Sequence, residues 1–192
     1  MRYTLIALLS GSALALSACG GSKTETSTTT NSVITEGDTM TVANDTMAVT
    51  LSPGQTFANA AASSDAFEIA EAQLALTTSK SAAIKSFAQK MIDAHTASTT
   101  KLKAAAASAT PAITPDATLT AEQQQKVDAL KTRTGADFDA AYAADQVAGH
   151  QATLDALKAY SATGEVPQLK TFATGLVPTV TAHLNMAKGL KP

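Results

Sequence analysis

The sequence predicts an all-α protein, an antiparallel four-helix bundle with a short extra helix in one crossover. Three observations carry that expectation. Alanine fills 41 of 192 positions and aromatic residues only 4%. Ala is the best helix former and a poor strand former, which favours closely packed helices over a β-sandwich. Four long stretches also repeat apolar residues every three and four positions, the period of one helical face. Finally, the breaks within the first and last pair of stretches are short, so each pair packs antiparallel. The length suggests one domain.

The elements follow in chain order. Pro53-Gly54 reads as a turn and a boundary. Helix α1 is expected over about Thr56 to Thr78, with Phe57, Ala60, Ala61, Ser64, Phe67, Glu71 and Leu74 along one face. Ser79 or Ser81 can cap α2, about Ala82 to Ala107, whose stripe is Ile84, Phe87, Ala88, Met91, His95 and Leu102. Pro111 and Pro115 then break the chain. Thr120 and Gln123 form a capping box that opens the short α3, ending near Thr132. Helix α4 is expected over about Ala136 to Ala162, with Phe138, Tyr142, Val147, His150, Leu154 and Leu157 inward, and Gly164 ends it. Pro167 suits the first turn of α5, about Pro167 to Lys188. Its stripe is Leu169, Phe172, Ala173, Leu176, Val180, His183 and Ala187. Pro178 removes the hydrogen bond to the Thr174 carbonyl, so a kink or bulge is expected near Gly175 to Pro178.

Ahead of the helices the chain carries an address. Met1-Arg2 is a positive start, and TLIALLSGSALAL is an apolar run. It is shorter than the roughly 20 residues of a membrane span and fits a secretory signal. Leu16-Ser17-Ala18-Cys19-Gly20 resembles a bacterial lipobox, which is cut before a Cys that carries diacylglycerol. Residues 1–18 are therefore expected to be a lipoprotein signal peptide, with Cys19 lipidated. Two or three acyl chains on one residue anchor stably, as one chain does not. By resemblance to lipoprotein sorting rules, Gly20 after the Cys implies the outer membrane of a diderm bacterium, with the protein facing the periplasm. Residues 19–55 hold Cys19 and a Thr/Ser-rich stretch that cannot bury enough surface to order itself, so a flexible tether is expected. The bundle domain is expected over residues 56–190.

Charge and cysteine usage exclude several classes. A net charge of −2 gives no basic excess to displace counterions from phosphates, so no nucleic-acid partner is expected. The single Cys excludes a disulfide framework and a thiolate zinc site within one chain. The membrane, through the lipid, is the expected partner; the sequence names no protein partner.

The polar residues are the most informative feature. All three His in the chain fall on or beside the apolar stripes, one each on α2, α4 and α5. Helix α1 adds Glu68 and Glu71. Heights can be counted from the α1–α2 and α4–α5 turns, taken to lie at one end. At roughly 1.5 Å per residue, Glu68 then stands about 16 Å from that end, His150 about 18 Å, His95 about 24 Å and His183 about 27 Å. Glu68, His95, His150 and His183 are thus candidate metal ligands in one layer. Tyr142, near 30 Å, and Asp139, near 35 Å, are candidates to orient an imidazole. The alternative is a structural polar layer in which the imidazoles bond each other, Glu68 and Tyr142. Asp93, Asp137 and Asp145 are expected to be solvated.

FEIAEAQLAL, IKSFAQKMIDAH, GADFDAAYAADQVAGHQATLDAL and LKTFATGLVPTVTAHLNMA resemble, in order, segments of the domain-of-unknown-function family 4142. Its members are often labelled predicted outer membrane protein and look ferritin-like. The resemblance covers about Thr56 to Gly189, on Glu68, Phe87-Ala88, Met91, His95, Phe138-Asp139, Tyr142, His150, Pro178 and His183-Leu184. One departure is Ala94, where the family usually has Asp; Asp93 is the candidate substitute. A ferritin-type di-iron site needs Glu-x-x-His on two helices. Here Ile92 and Val180 stand three residues before His95 and His183, so zinc, copper or nickel suits the donors better than di-iron.

The expected function is that of a membrane-anchored periplasmic lipoprotein with a non-enzymatic binding, envelope or stress role. One alternative is a metal-binding protein using the Glu/His layer, with a divalent metal as the cofactor. A further alternative is a metal-dependent redox enzyme. No catalytic Ser-His-Asp set, phosphate loop or nucleophilic Cys is readable.

Overall fold

A computed structural model describes residues 50–191. The segment read as signal peptide, lipidated Cys19 and most of the tether lies outside the described residues. Those described are all-helical, with α1 Pro53–Thr78, α2 Ala82–Ala107, α3 Ala121–Lys131, α4 Gly135–Thr163 and α5 Pro167–Lys188. Among them no helix is long and apolar enough to cross a membrane.

Local chemistry sets the ends. Helix α1 starts three residues before the expected boundary, and Pro53-Gly54 is its first turn rather than a turn ahead of it. Pro53 lacks only an N–H that the first turn leaves unpaired anyway, and the Ser52 side chain accepts from the Gln55 amide. Ser81 caps α2 through the Ile84 amide. The capping box of Thr120 and Gln123 is present on α3. Helix α5 runs unbroken through Pro178. Both Pro178 and Thr174 face solvent, so water can take the carbonyl that the proline leaves unpaired, and the chain needs no break there.

The long helices pack in a ring: α1 against α2, α2 against α5, α5 against α4, and α4 against α1. Two apolar clusters fix their directions. One joins the start of α1 (Phe57, Ala58) to the ends of α2 (Leu102, Ala106) and α4 (Leu154, Leu157) and the start of α5 (Leu169, Phe172). The other joins the end of α1 (Ala72, Ala75) to the starts of α2 (Ile84, Phe87) and α4 (Phe138, Tyr142). Every neighbouring pair is therefore antiparallel. The α1–α2 and α4–α5 turns lie at opposite ends, not at one end as the height count assumed. The crossover explains this. Ile113 belongs to the first cluster and Leu130, at the end of α3, to the second, so the crossover and α3 carry the chain the length of the molecule. Gln55 Nε2 donates to the Thr114 carbonyl at 2.7 Å, and the Asp116 amide to Asn59 Oδ1 at 3.0 Å, tying the crossover to α1.

Between the apolar clusters runs a belt of buried polar side chains: Asp65, Glu68 and Glu71 on α1, His95 and Ser98 on α2, Gln146 and His150 on α4, and His183 on α5. The apolar ends stabilise the fold; this belt costs desolvation and must be satisfied internally.

Candidate metal centre

Three helices each aim one imidazole into the belt. The ring centroids of His150 and His183 are 5.5 Å apart, those of His95 and His150 5.6 Å, and those of His95 and His183 6.0 Å. One ligand atom from each of the three lies within 4.8 Å of the others. All three side chains are buried.

Two of the rings have their proton placed by a neighbour. His95 Nδ1 is 2.8 Å from Asp65 Oδ1, and Thr99 Oγ1 donates to Asp65 Oδ2 at 3.1 Å. A carboxylate accepts, so Nδ1 carries the hydrogen, and the tautomer this selects has its lone pair on Nε2. His150 Nδ1 lies 2.8 Å from the Gln146 carbonyl, which accepts likewise. That leaves His95 Nε2, His150 Nε2 and His183 Nδ1 buried with no hydrogen-bond partner among the described residues. Burial first, then the neighbouring imidazoles, pulls the pKa of His150 and of His183 down to about 4. Both are neutral at ordinary pH, the form that ligates metal. The imidazoles do not bond one another, so the arrangement fails as a self-satisfied polar layer.

Other expected residues fall elsewhere. Glu68 is buried, but its Oε1 lies 3.6 Å from Nδ1 of His150, the edge that carries the hydrogen, and it is not one of the three converging groups. Tyr142 stacks on Phe138 and meets Phe87 edge-on in the cluster near the α1–α2 turn, with its hydroxyl unpartnered. Asp139 is buried with Oδ1 unpartnered. Neither Tyr142 nor Asp139 has a hydrogen bond to an imidazole among the described residues; reversing α4 relative to the assumed count moves both towards the opposite end. Asp93 is exposed and accepts from Gln89 at 2.9 Å, so it does not stand in for the missing acid at Ala94. Asp137 is exposed; Asp145 is half-buried and 3.3 Å from Lys126.

The residue that sequence reasoning missed is Asp65. A signal was there: Asp65, Glu68 and Ala72 step along one helical face by three and four, directly beside the apolar stripe. Asp65, Ala94, His95 and His183 line a cavity of ≈ 30 Å³, enough for a water-sized occupant.

Beside the imidazoles sit carboxyls shifted the other way. Burial, then the adjacent Glu71, pushes Glu68 well above the usual carboxylate range. Burial, then Asp145, pushes Glu71 up to about 8, with Gln146 and Lys126 opposing. Between the ordinary glutamate value of 4.5 and about 8, Glu71 is neutral when folded but ionised when unfolded. Its contribution to stability is therefore whole below 4.5 and lost as pH rises through 8. His150 and His183 contribute fully above 6.5, and that contribution is lost as pH falls through about 4. The two effects oppose one another below about pH 6.5. Above it only the carboxyls act. Metal-free stability is expected to fall between pH 6.5 and 8, by up to about 1.4 kcal/mol per pH unit for each carboxyl. Urea melts across that range check this; stability that is flat or rising would mean Glu71 is already ionised in the fold.

No curated protein matches the chain. Among solved structures, one described as "CopM in the Cu(II)-bound form" is similar, with TM-score 0.60 and 16% identity over 71% of this chain and 93% of that one. That likeness bears on the fold. The family described as "Domain of unknown function (DUF4142)" matches residues 39–190, most of the sequence, and the chain belongs to that family.

Proposed function

We propose that this protein binds one divalent metal ion of the nitrogen-preferring class at His95, His150 and His183, with copper the leading candidate. One observation carries the reading: three buried imidazoles with ligand atoms within 4.8 Å, and an unpaired ring nitrogen on each. Metal–nitrogen bonds of about 2.0–2.1 Å need donors roughly 3.4 Å apart, so shifts of about 1 Å would close the set. Imidazole donors suit copper, zinc and nickel, and copper binds most strongly in that series. The copper in the name of the similar structure agrees with that order. The chain's own residues do the rest. Asp65 and the Gln146 carbonyl hold two rings in the ligating tautomer, and Glu68 places an acid beside His150.

The ring of antiparallel helices with one long crossover supports a ferritin-like four-helix bundle as the scaffold. We place it at the periplasmic face of the outer membrane, tethered through lipid on Cys19. Cys19→Ser is expected to move the protein from the membrane fraction to the soluble one; an unmodified, soluble wild type would refute the anchor.

The test of the metal reading uses full-length protein carrying no His tag. Titration with Cu²⁺ is expected to show one equivalent bound and a raised melting temperature, with Zn²⁺ and Ni²⁺ weaker. Absence of both binding and thermal shift at micromolar copper would overturn it.

A further inference from the structure

We propose a second cation site between α1 and α4, built from Glu68, Glu71, Gln146 and Tyr142, that takes a hard divalent cation such as Mn²⁺ or Mg²⁺. Glu68 and Glu71 are three apart on α1, and Tyr142 and Gln146 four apart on α4, so each pair shares a helix face. Gln146 Nε2 donates to Glu71 Oε2 at 3.2 Å, which joins the two faces. Glu71, Gln146 and Tyr142 are fully buried and Glu68 is 1% exposed.

Five oxygens there have no hydrogen-bond partner among the described residues: both of Glu68, Oε1 of Glu71, Oε1 of Gln146 and the Tyr142 hydroxyl. A cation entering here displaces the protons that burial leaves on the two carboxyls; all five oxygens then accept, and only the Tyr142 hydroxyl can also donate. The cation's charge offsets the cost of burying those acceptors. Lys126 lies at the rim, 3.3 Å from Asp145 and partly exposed. The backbone makes room for the cluster as well. A Cβ on Gly149 would stand 2.6 Å from Glu68 Oε1, so the absence of a side chain lets the carboxyl lie against α4. Carboxylate, amide and hydroxyl oxygens suit Mg²⁺ and Mn²⁺, whereas the imidazole set suits softer metals. His150 stands between the two sites, its Nδ1 3.6 Å from Glu68 Oε1.

Mn²⁺ is the probe, followed by the loss of its free-ion EPR signal on adding full-length protein. Wild type and His183→Ala are expected to bind one Mn²⁺ with similar affinity, and Glu71→Gln to bind at least 10-fold more weakly. Copper binding should show the reverse order, so this site and the imidazole site can fail separately. No Mn²⁺ bound at millimolar concentration would overturn the proposal, as would binding that His183→Ala abolishes and Glu71→Gln leaves intact. Should Glu71→Gln fail to fold, the wild type decides. Bound Mn²⁺ must broaden the Gln146 side-chain NH₂ resonances, and a sharp Gln146 signal with Mn²⁺ bound overturns the assignment.

Discussion

His183→Ala is expected to abolish the rise in melting temperature that copper gives the wild type. Metal stabilises by mass action, because the unfolded chain scatters ligands drawn from α2, α4 and α5. At metal 100-fold above Kd the gain is about 2.7 kcal/mol, roughly 10 °C for a domain of this size. Removing one of three nitrogen donors leaves two, and the remaining imidazoles cannot hold the ion at the same concentration. The metal-free protein should change little or gain stability, since His183 Nδ1 is buried without a partner and its removal ends that cost. Those two signs separate ligation from packing. A structural histidine would lower metal-free stability and leave the copper response unchanged. Tyr142→Phe is the control: the Tyr142 hydroxyl has no partner and makes no bond to an imidazole, so copper should stabilise that variant as it does the wild type. Thermal melts with and without Cu²⁺ decide it, and a full copper response in His183→Ala would remove the imidazole site.

The helices were legible because their signals are local. α2 and α5 begin and end where the caps and prolines said, and the stripe Ile84, Phe87, Ala88, Met91, His95, Leu102 is buried throughout. The convergence of the three histidines survived a wrong assumption about topology. His95 and His150 lie near the middle of α2 and α4, where counting from either end gives a similar height; His183 lies near the end of α5 and keeps its place beside His150 because α4 and α5 share a turn. Tyr142 and Asp139 sit in the first two turns of α4, where reversing the helix displaces them by half of its length or more. Direction was not legible because it depends on where the crossover delivers the chain, and a run such as SATPAITPDATLT carries no record of its path. Asp65 was hidden for a different reason. On α1 small and acidic residues share the inner face, so apolar periodicity shows only Phe57 and Phe67 clearly. A buried acid is recognised by the partner it meets, and His95 is thirty positions away.

That acid carries the second large effect. Asp65→Asn is expected to weaken copper binding 10- to 100-fold while leaving all three imidazoles in place. The wild-type carboxylate can only accept from His95, which forces the proton onto Nδ1 and the lone pair onto Nε2. An Asn side chain can accept or donate. When its NH₂ faces the ring, Nδ1 becomes the acceptor, Nε2 carries the proton, and His95 presents a hydrogen where a ligand is needed. The substitution also removes a negative charge that makes the imidazole a stronger donor. Thr99 Oγ1, which donates to Asp65 Oδ2 at 3.1 Å, holds the carboxylate in place, and Thr99→Val should give a smaller loss of the same kind. Metal-free stability distinguishes this tautomer effect from simple damage. Asp65→Asn keeps a hydrogen bond to His95 in either orientation, so its loss of stability should be well below that of Asp65→Ala, which leaves the ring nitrogen unpaired at a cost of about 1–3 kcal/mol. Copper affinity measured by competition, beside urea melts of the two variants, separates the terms. If Asp65→Asn binds copper as tightly as wild type, Asp65 does no more than fill space beside His95, and the orientation of the site has another source.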